Sequence, residues 1–167
     1  AAVKDIKEKK FAQGGSTITQ QLAKNMFLSS EKTLKRKIKE IRFAKAIERK
    51  LTKNQILTAY LNNLYFGNGI YGIQSAANSF FNKNASNLTT KESAILAATI
   101  NNPPVFSPYK ERNEVRVKTI LKRMKDCGYI SDIEYELSLS EKTTLMPENG
   151  ESKYWKSALE EAKNILG

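Results

Sequence analysis

"TKNQILTAYLNNLYFGNGIYGIQSAANSFF", residues 52–81, decides the fold class. Thr52 and Gln55 stand three apart, the spacing at which a hydroxyl and an amide cap a helix start reciprocally. The run "NQILTAYLNNLYF" that follows reads as a helix, and Gly67 stops it. "GNGIYG" (67–72) reads as a turn, and "IQSAANSFF" as a shorter helix. The glycines also match G-x-G-x-x-G. The dinucleotide fingerprint needs a strand before that pattern and a helix start inside it. Here a helix precedes it, so the glycines are expected to shape a turn and hold no nucleotide.

The same punctuation recurs outward in both directions. Thr17 and Gln20 have capping-box spacing ahead of Ile18, Leu22 and Met26, which share a helix face. "LSSEKT" breaks that helix, and a long one covers 31–51. Thr89 and Glu92 open "KESAILAATI". "NNPPVFSP" is a loop that helices do not cross. "EVRVKTILKRMKDC" is helical up to Gly128, Ser131 and Glu134 cap "DIEYELSL", and "YWKSALEEAKNIL" forms a last helix. No strand alternation, heptad pattern or internal repeat is visible. The expectation is an all-α domain over 1–140, with 141–167 as a polar connector.

The composition narrows the chemistry. The chain has 167 residues and 28 Lys+Arg against 17 Asp+Glu, a formal charge of +11. Such an excess points to an anionic partner: nucleic acid, a phosphate-bearing substrate or a membrane surface. There is one cysteine and no histidine. Cys/His zinc sites, Ser-His-Asp catalysis and Cys-His catalysis are therefore excluded. Acid–base work falls to carboxylates, lysines or tyrosines. The longest clean apolar run, "AILAATI" (94–100), is far short of the ~20 residues of a membrane span.

Two stretches carry the remaining signal. "FAQGGSTITQQLAKN" (11–25) sets a glycine pair before a helix start rich in hydroxyls and amides, with Lys24 a turn later. "EKTLKRKIKEIRFAKAIERKL" (31–51) places Lys32, Lys35, Arg36 and Lys39 in one sector of a helix, where like charges repel and an anion would relieve them. Glu40 stands on a face with Phe43, Ile47 and Leu51, and Arg36 lies four residues before it. A carboxylate between apolar surface and a guanidinium is pulled toward both its neutral and its charged form, a balance enriched at active sites. The plain alternative is a structural Arg36–Glu40 helix pair. Glu48, between Lys45 and Arg49, is the bland comparison. The S-x-x-K matches at Ser29/Lys32 and Ser107/Lys110 lack the larger scaffold such motifs need, and read as chance.

These stretches resemble the signature motifs of the peptidoglycan glycosyltransferases, the lysozyme-like domain of class A penicillin-binding proteins. "QGGSTITQQLAKN" resembles their second motif, and "RKIKE" (36–40) with "AIE" (46–48) the third. "KNQILTAYLNNLYFGNGIYGIQSAANSFF" resembles the fourth, and "ERNEVRVKTILKRM" the fifth. "ESKYWKSALEEAKNILG" resembles the connector into the transpeptidase domain of bifunctional members. The resemblance implies polymerisation of lipid II into glycan strands at the extracytoplasmic face of the bacterial membrane. The acceptor 4-hydroxyl attacks the anomeric carbon of a lipid-linked donor strand, with inversion, and undecaprenyl pyrophosphate leaves. It implies Glu40 as the second catalytic glutamate, on the pyrophosphate side. Ser16, Thr17, Gln20, Gln21, Lys24 and Asn25 match donor-site positions, and Arg36 and Lys37 match the basic pair of the third motif. Lys32 falls where relatives often carry an arginine, so the charge is kept and the bidentate fork is lost. No dedicated metal site is implied. A divalent cation, Mg or Mn, would be bound through the substrate pyrophosphate. A nucleic-acid partner is not expected, because no helix-turn-helix or aromatic platform stands out.

One motif of the family does not match. The first, E-D-x-x-F followed by a histidine, carries the glutamate that acts as general base for the acceptor. Glu8 and Phe11 give only the E-x-x-F spacing. The reading is therefore of a domain incomplete at its N-terminus, starting within the helix that leads into "QGGSTITQQ" and inactive by itself. The alternatives are a non-catalytic lipid-phosphate or cell-wall binding module and, further off, a basic nucleic-acid-binding protein.

Overall fold

Hydroxyl caps set the helix starts in the computed structural model, which describes residues 15–27 and 33–148. Thr33 accepts from Arg36 N at 3.1 Å and opens the long basic helix. Thr52/Gln55, Thr89/Glu92 and Ser131/Glu134 each form the reciprocal box that their spacing predicts. A cap of this kind contributes about 1 kcal/mol to its helix. The expected tail of a helix before Gly14 and the expected last helix at 154–166 lie outside the described residues.

The chain divides into two compact units, Ala1–Asn63 and Leu64–Gly167. In the first, α1 (Ile18–Phe27) packs on α2 (Leu34–Lys50) and α3 (Lys53–Asn63). The buried side of α1 is Thr19, Leu22 and Ala23. This corrects the face expected from sequence: Leu22 is buried, but Ile18 and Met26 are 44% and 48% exposed. The physical reason is close approach. Ala23 of α1 and Ala44 of α2 are both buried, with Ile56 and Tyr60 of α3. Small side chains bring helix axes together, which leaves the bulkier residues at the margins. Phe27 and Phe43 stack there at 5.2 Å, both half-exposed.

The second unit opens with a hairpin, β1 (Tyr65–Gly67) antiparallel to β2 (Ile70–Tyr71). It is the one departure from the all-α expectation among the described residues. Asn68 and Gly69 both have positive φ, +50° and +75°, as a tight two-residue hairpin turn requires. Gly67 also has φ +94°, and a Cβ there would stand 3.2 Å from Pro103. The G-x-G-x-x-G pattern is thus a turn, as expected from its context. Four α-helices follow, α4 (Ile73–Phe81), α5 (Thr90–Thr99), α6 (Glu111–Asp126) and α7 (Asp132–Ser140), with a short 3-10 helix at Ala85–Asn87. Ala76, Ala77, Phe80 and Phe81 of α4, Ala94 to Leu96 and Ala98 of α5, and Val117 and Leu121 of α6 make the core. Asn113 is buried within it. Its amide donates to Ile95 O, Thr99 Oγ1 and Phe106 O at 2.7–3.2 Å, so no donor is left unpaired.

Residues 141–148, after α7, stay on this unit. Thr89 Oγ1 donates to Glu141 at 2.7 Å, and Lys91 Nζ donates to the carbonyl of Glu141. Met146 N donates to Phe80 O at 2.8 Å, and the Met146 carbonyl accepts from the Tyr109 hydroxyl at 2.9 Å. Glu92, also buried, accepts from Lys83 Nζ at 2.7 Å and from Thr89 N at 2.9 Å. Its place is structural: it closes the capping box and neutralises one lysine. Ser107 and Lys110 share only a backbone hydrogen bond, while Lys110 Nζ donates to Pro104 O at 2.6 Å. They form no nucleophile–base pair.

Candidate anion site around Glu40

The site lies wholly in the first unit and begins at the start of α1. Thr17 Oγ1 accepts from Gln20 N at 3.2 Å, which is half of the expected capping box. The other half is not made, because Gln20 Oε1 turns to Lys37 of α2 and accepts from its Nζ at 3.3 Å. The same ammonium donates to Ser16 Oγ at 2.8 Å and to Glu40 Oε1. Lys37 therefore ties the α1 start to the carboxylate with all three of its donors.

Glu40 is 2% exposed. Its second oxygen faces Arg36 Nη1 at 3.4 Å. The apolar stripe expected to bury it does not: Phe43 and Leu51 are 40% and 37% exposed, and the buried neighbour on α2 is Ala44. Its oxygens are held instead by Arg36 and Lys37, one turn earlier on α2, with Ser16 and Gln20 reached through Lys37. Glu48, the bland comparison, is exposed and makes no ion pair among the described residues.

Counted as charges, the cluster has two cations and one carboxylate, a surplus of one positive charge. Two further facts show that it is not self-satisfied. Arg36 Nε is buried with no partner among the described residues. The first turn of α2 holds Lys35, Arg36 and Lys37 and no acid. Cations there oppose the positive end of the helix dipole. An anion seated beside Arg36 and Lys37 would answer all three deficits at once.

A third glutamine contact was not legible in the sequence. Gln21 Nε2 donates to Ser16 O at 3.5 Å, and Gln21 Oε1 accepts from the Tyr60 hydroxyl at 3.1 Å. Burial pushes the Tyr60 phenol above its ordinary value, so it remains a neutral donor. Tyr60 is the tyrosine one turn after Ile56 on the buried side of α3, a signal that marks core as readily as site.

Of the residues singled out from sequence, the structure brings together Ser16, Gln20, Gln21, Arg36, Lys37 and Glu40. Thr17 is exposed and acts as a cap. Lys24 and Asn25 stand exposed in the last turn of α1, with no hydrogen bond among the described residues. Lys32 lies outside the described residues. Lys35 and Lys39, expected in one sector with Arg36, are exposed, while Arg36 folds back to Glu40. Among the described residues no three carboxylate, cysteine or histidine side chains converge as a metal site would need. Both Glu40 oxygens are already taken by cations, so the residues present do not fit a metal held by protein alone.

Comparison with known proteins shows the family. The transglycosylase family model matches residues 1–125. Penicillin-binding protein 4 of Bacillus subtilis is 43% identical over 156 residues, 92% of this chain and 25% of that protein. A monofunctional glycosyltransferase of Staphylococcus saprophyticus is 43% identical over 141 residues, 79% of this chain and 52% of that protein. The crystal structure of penicillin-binding protein 1A from Haemophilus influenzae matches with a TM-score of 0.51 at 25% identity, covering 92% of this chain and 20% of that one. The chain thus spans from a fifth to about half the length of these relatives. A family model over three-quarters of its residues, motifs in the family's order and an all-α, lysozyme-like fold agree: the chain belongs to the transglycosylase family of peptidoglycan synthesis.

Proposed function

We propose that these residues supply the donor side of a peptidoglycan glycosyltransferase that polymerises lipid II and releases undecaprenyl pyrophosphate at the extracytoplasmic face of the membrane. The observation that carries the proposal is the buried Glu40 held between Arg36 and Lys37, with one positive charge in surplus and a buried Arg36 Nε left without a partner. A departing pyrophosphate gains negative charge as the glycosidic bond breaks. Cations and N–H donors already fixed in place stabilise that charge better than water, which must reorient.

On this reading Glu40 is the catalytic carboxylate of the pyrophosphate side, holding the two cations where that charge develops. Ser16, Thr17, Gln20 and Gln21 supply neutral donors at a helix start. Lys24, Asn25 and Lys32 are the outer donor-site residues. A divalent cation would enter with the pyrophosphate oxygens and would neutralise part of their charge. The acceptor's general base is the first-motif glutamate, which the 167 residues do not contain. Lipid II, the lipid-linked strand and the membrane surface are the partners this reading entails, joined by a transpeptidase domain only where the parent protein is bifunctional; nucleic acid is not among them.

The test is direct. These 167 residues, joined to a segment bearing the first motif, should convert lipid II into glycan strands seen on a gel. Without that segment they should bind a pyrophosphate-bearing donor mimic and not polymerise. No product from the joined chain, with the donor mimic unbound, would sink the proposal. Lys24 gives a graded version. It lies one turn beyond Gln20 and Gln21 and is free to reach a ligand, so Lys24→Ala should weaken the donor mimic by roughly five- to tenfold at moderate salt. Unchanged affinity would remove Lys24 from the site.

A further inference from the structure

Tyr60 on α3 is only 7% exposed, and its ring fills core space that a phenylalanine would fill as well. The hydroxyl calls for a reason of its own, because taking it out of water costs free energy unless a partner meets it. That partner is Gln21 Oε1 at 3.1 Å, the one hydrogen bond from an α3 side chain to α1 among the described residues. The other end of the same amide meets the carbonyl of Ser16, with Gln21 Nε2 donating at 3.5 Å. A carbonyl only accepts, so the amide can face Ser16 only with its NH2 group. Turned over, it would set two acceptors against each other. The amide oxygen is thereby directed at α3, where a donor is required and Tyr60 supplies it.

Ser16 is held at two atoms as a result. Its carbonyl is fixed from α3 through Gln21, and its Oγ accepts from Lys37 Nζ of α2 at 2.8 Å. The hydroxyl hydrogen of Ser16 and the second Nε2 hydrogen of Gln21 have no acceptor among the described residues. Both residues are half-buried, and Ser16 touches the ammonium that also binds Glu40.

We infer that Tyr60 is a positioning residue of the donor site: through Gln21 it fixes which way that amide faces and holds Ser16, so that both residues present hydrogen-bond donors to the leaving pyrophosphate. The inference rests on the donor-site reading above and adds α3 to the two helices that build the site. Donors aligned in advance stabilise developing charge without reorganising. An amide free to turn over would offer the anion its oxygen in one of two orientations. Burial holds the phenol above its ordinary value, so it keeps its proton and stays a donor at neutral pH.

The test is a double-mutant cycle, read first by titrating farnesyl pyrophosphate, a short lipid pyrophosphate, into the 167-residue chain. Tyr60→Phe keeps the ring and removes the hydroxyl alone. It should weaken binding roughly fivefold, and Ser16→Ala should do the same. The two together should cost little more than either one, because Tyr60 acts through Ser16. Gln21→Met in place of Ser16→Ala should give the same result. A thermal melt of Tyr60→Phe should fall by no more than roughly 5 °C, which shows the variant folded. The second reading is polymerisation by the chain joined to the first motif. There Tyr60→Phe should lower kcat roughly tenfold and leave the KM for lipid II within about threefold, because aligned donors matter most once the leaving group carries its charge. A tyrosine that only fills the core would move the melt and leave both readings alone. That outcome would overturn the inference, and so would losses that multiply in the cycle, or no binding of the lipid pyrophosphate by the unaltered chain. A coupled cycle in a joined chain that makes no glycan would defeat the polymerisation reading and leave Tyr60 in place at the anion site.

Discussion

Glu40→Gln is expected to lower lipid II polymerisation by at least about 100-fold in a chain that also carries the first motif. The change keeps shape and one acceptor oxygen but removes the charge that holds two cations. Arg36 and Lys37 would then face each other across a neutral amide, whose NH2 group offers them a donor where each needs an acceptor. Their positions would loosen at the point where the leaving pyrophosphate develops charge. Stability should fall as well, by roughly 1–3 kcal/mol. It should not collapse, because Lys37 is 41% exposed at its side chain and water can serve it. Gel analysis of products and a thermal melt on the same sample separate the two effects. Wild-type-like turnover in a folded variant would end the role given to Glu40. A melt that falls with no change in turnover would leave Glu40 as a fold residue alone.

The pairing behind that prediction was half legible in the sequence. Arg36 and Glu40 are four apart on a helix, and such pairs meet wherever the helix forms. Local chemistry was read well for the same reason. The boxes at Thr52, Thr89 and Ser131 need only residues three apart, and all three are made. Contacts between elements were not legible. Lys37 reaches Ser16 and Gln20, 21 and 17 residues away. Tyr60 finds Gln21 across 39 residues. Nothing in composition or period predicts either contact.

The errors have different causes. The face of α1 was read from its largest apolar residues, yet three helices packing together bury its smallest ones, Thr19 and Ala23, with Leu22. The apolar stripe at Phe43, Ile47 and Leu51 was likewise taken as cover for Glu40. In the structure its outer members stay well exposed, and the groups that hold the carboxylate are polar. The hairpin at 65–71 escaped because strands of three and two residues are too short to alternate. Asn68-Gly69 was the available signal.

Lys37→Met tests what sequence spacing left hidden, and its expected effect is nearly as large as that of Glu40→Gln. Methionine keeps most of the stem and deletes all three donors. Ser16, Gln20 and one oxygen of Glu40 lose their shared partner at once. Arg36 remains on the other carboxylate oxygen, so Glu40 is not left without a counter-charge. That makes unfolding an unsuitable explanation for a loss of function. A charge-assisted hydrogen bond to a pyrophosphate oxygen is worth about 1.5–3 kcal/mol. The expected outcome is therefore a ten- to hundredfold weaker donor-mimic affinity, together with slower polymerisation. Lys37→Arg is the informative companion. It restores charge but not the compact three-way geometry of an ammonium. It should recover affinity in part while leaving turnover low, because an anion can still be attracted while the start of α1 is no longer held against α2. Full recovery of both by arginine would mean that charge alone matters and that the bonds to Ser16 and Gln20 are incidental. A melt lowered by methionine with donor affinity unchanged would make Lys37 a brace between two helices and would take it out of the anion site.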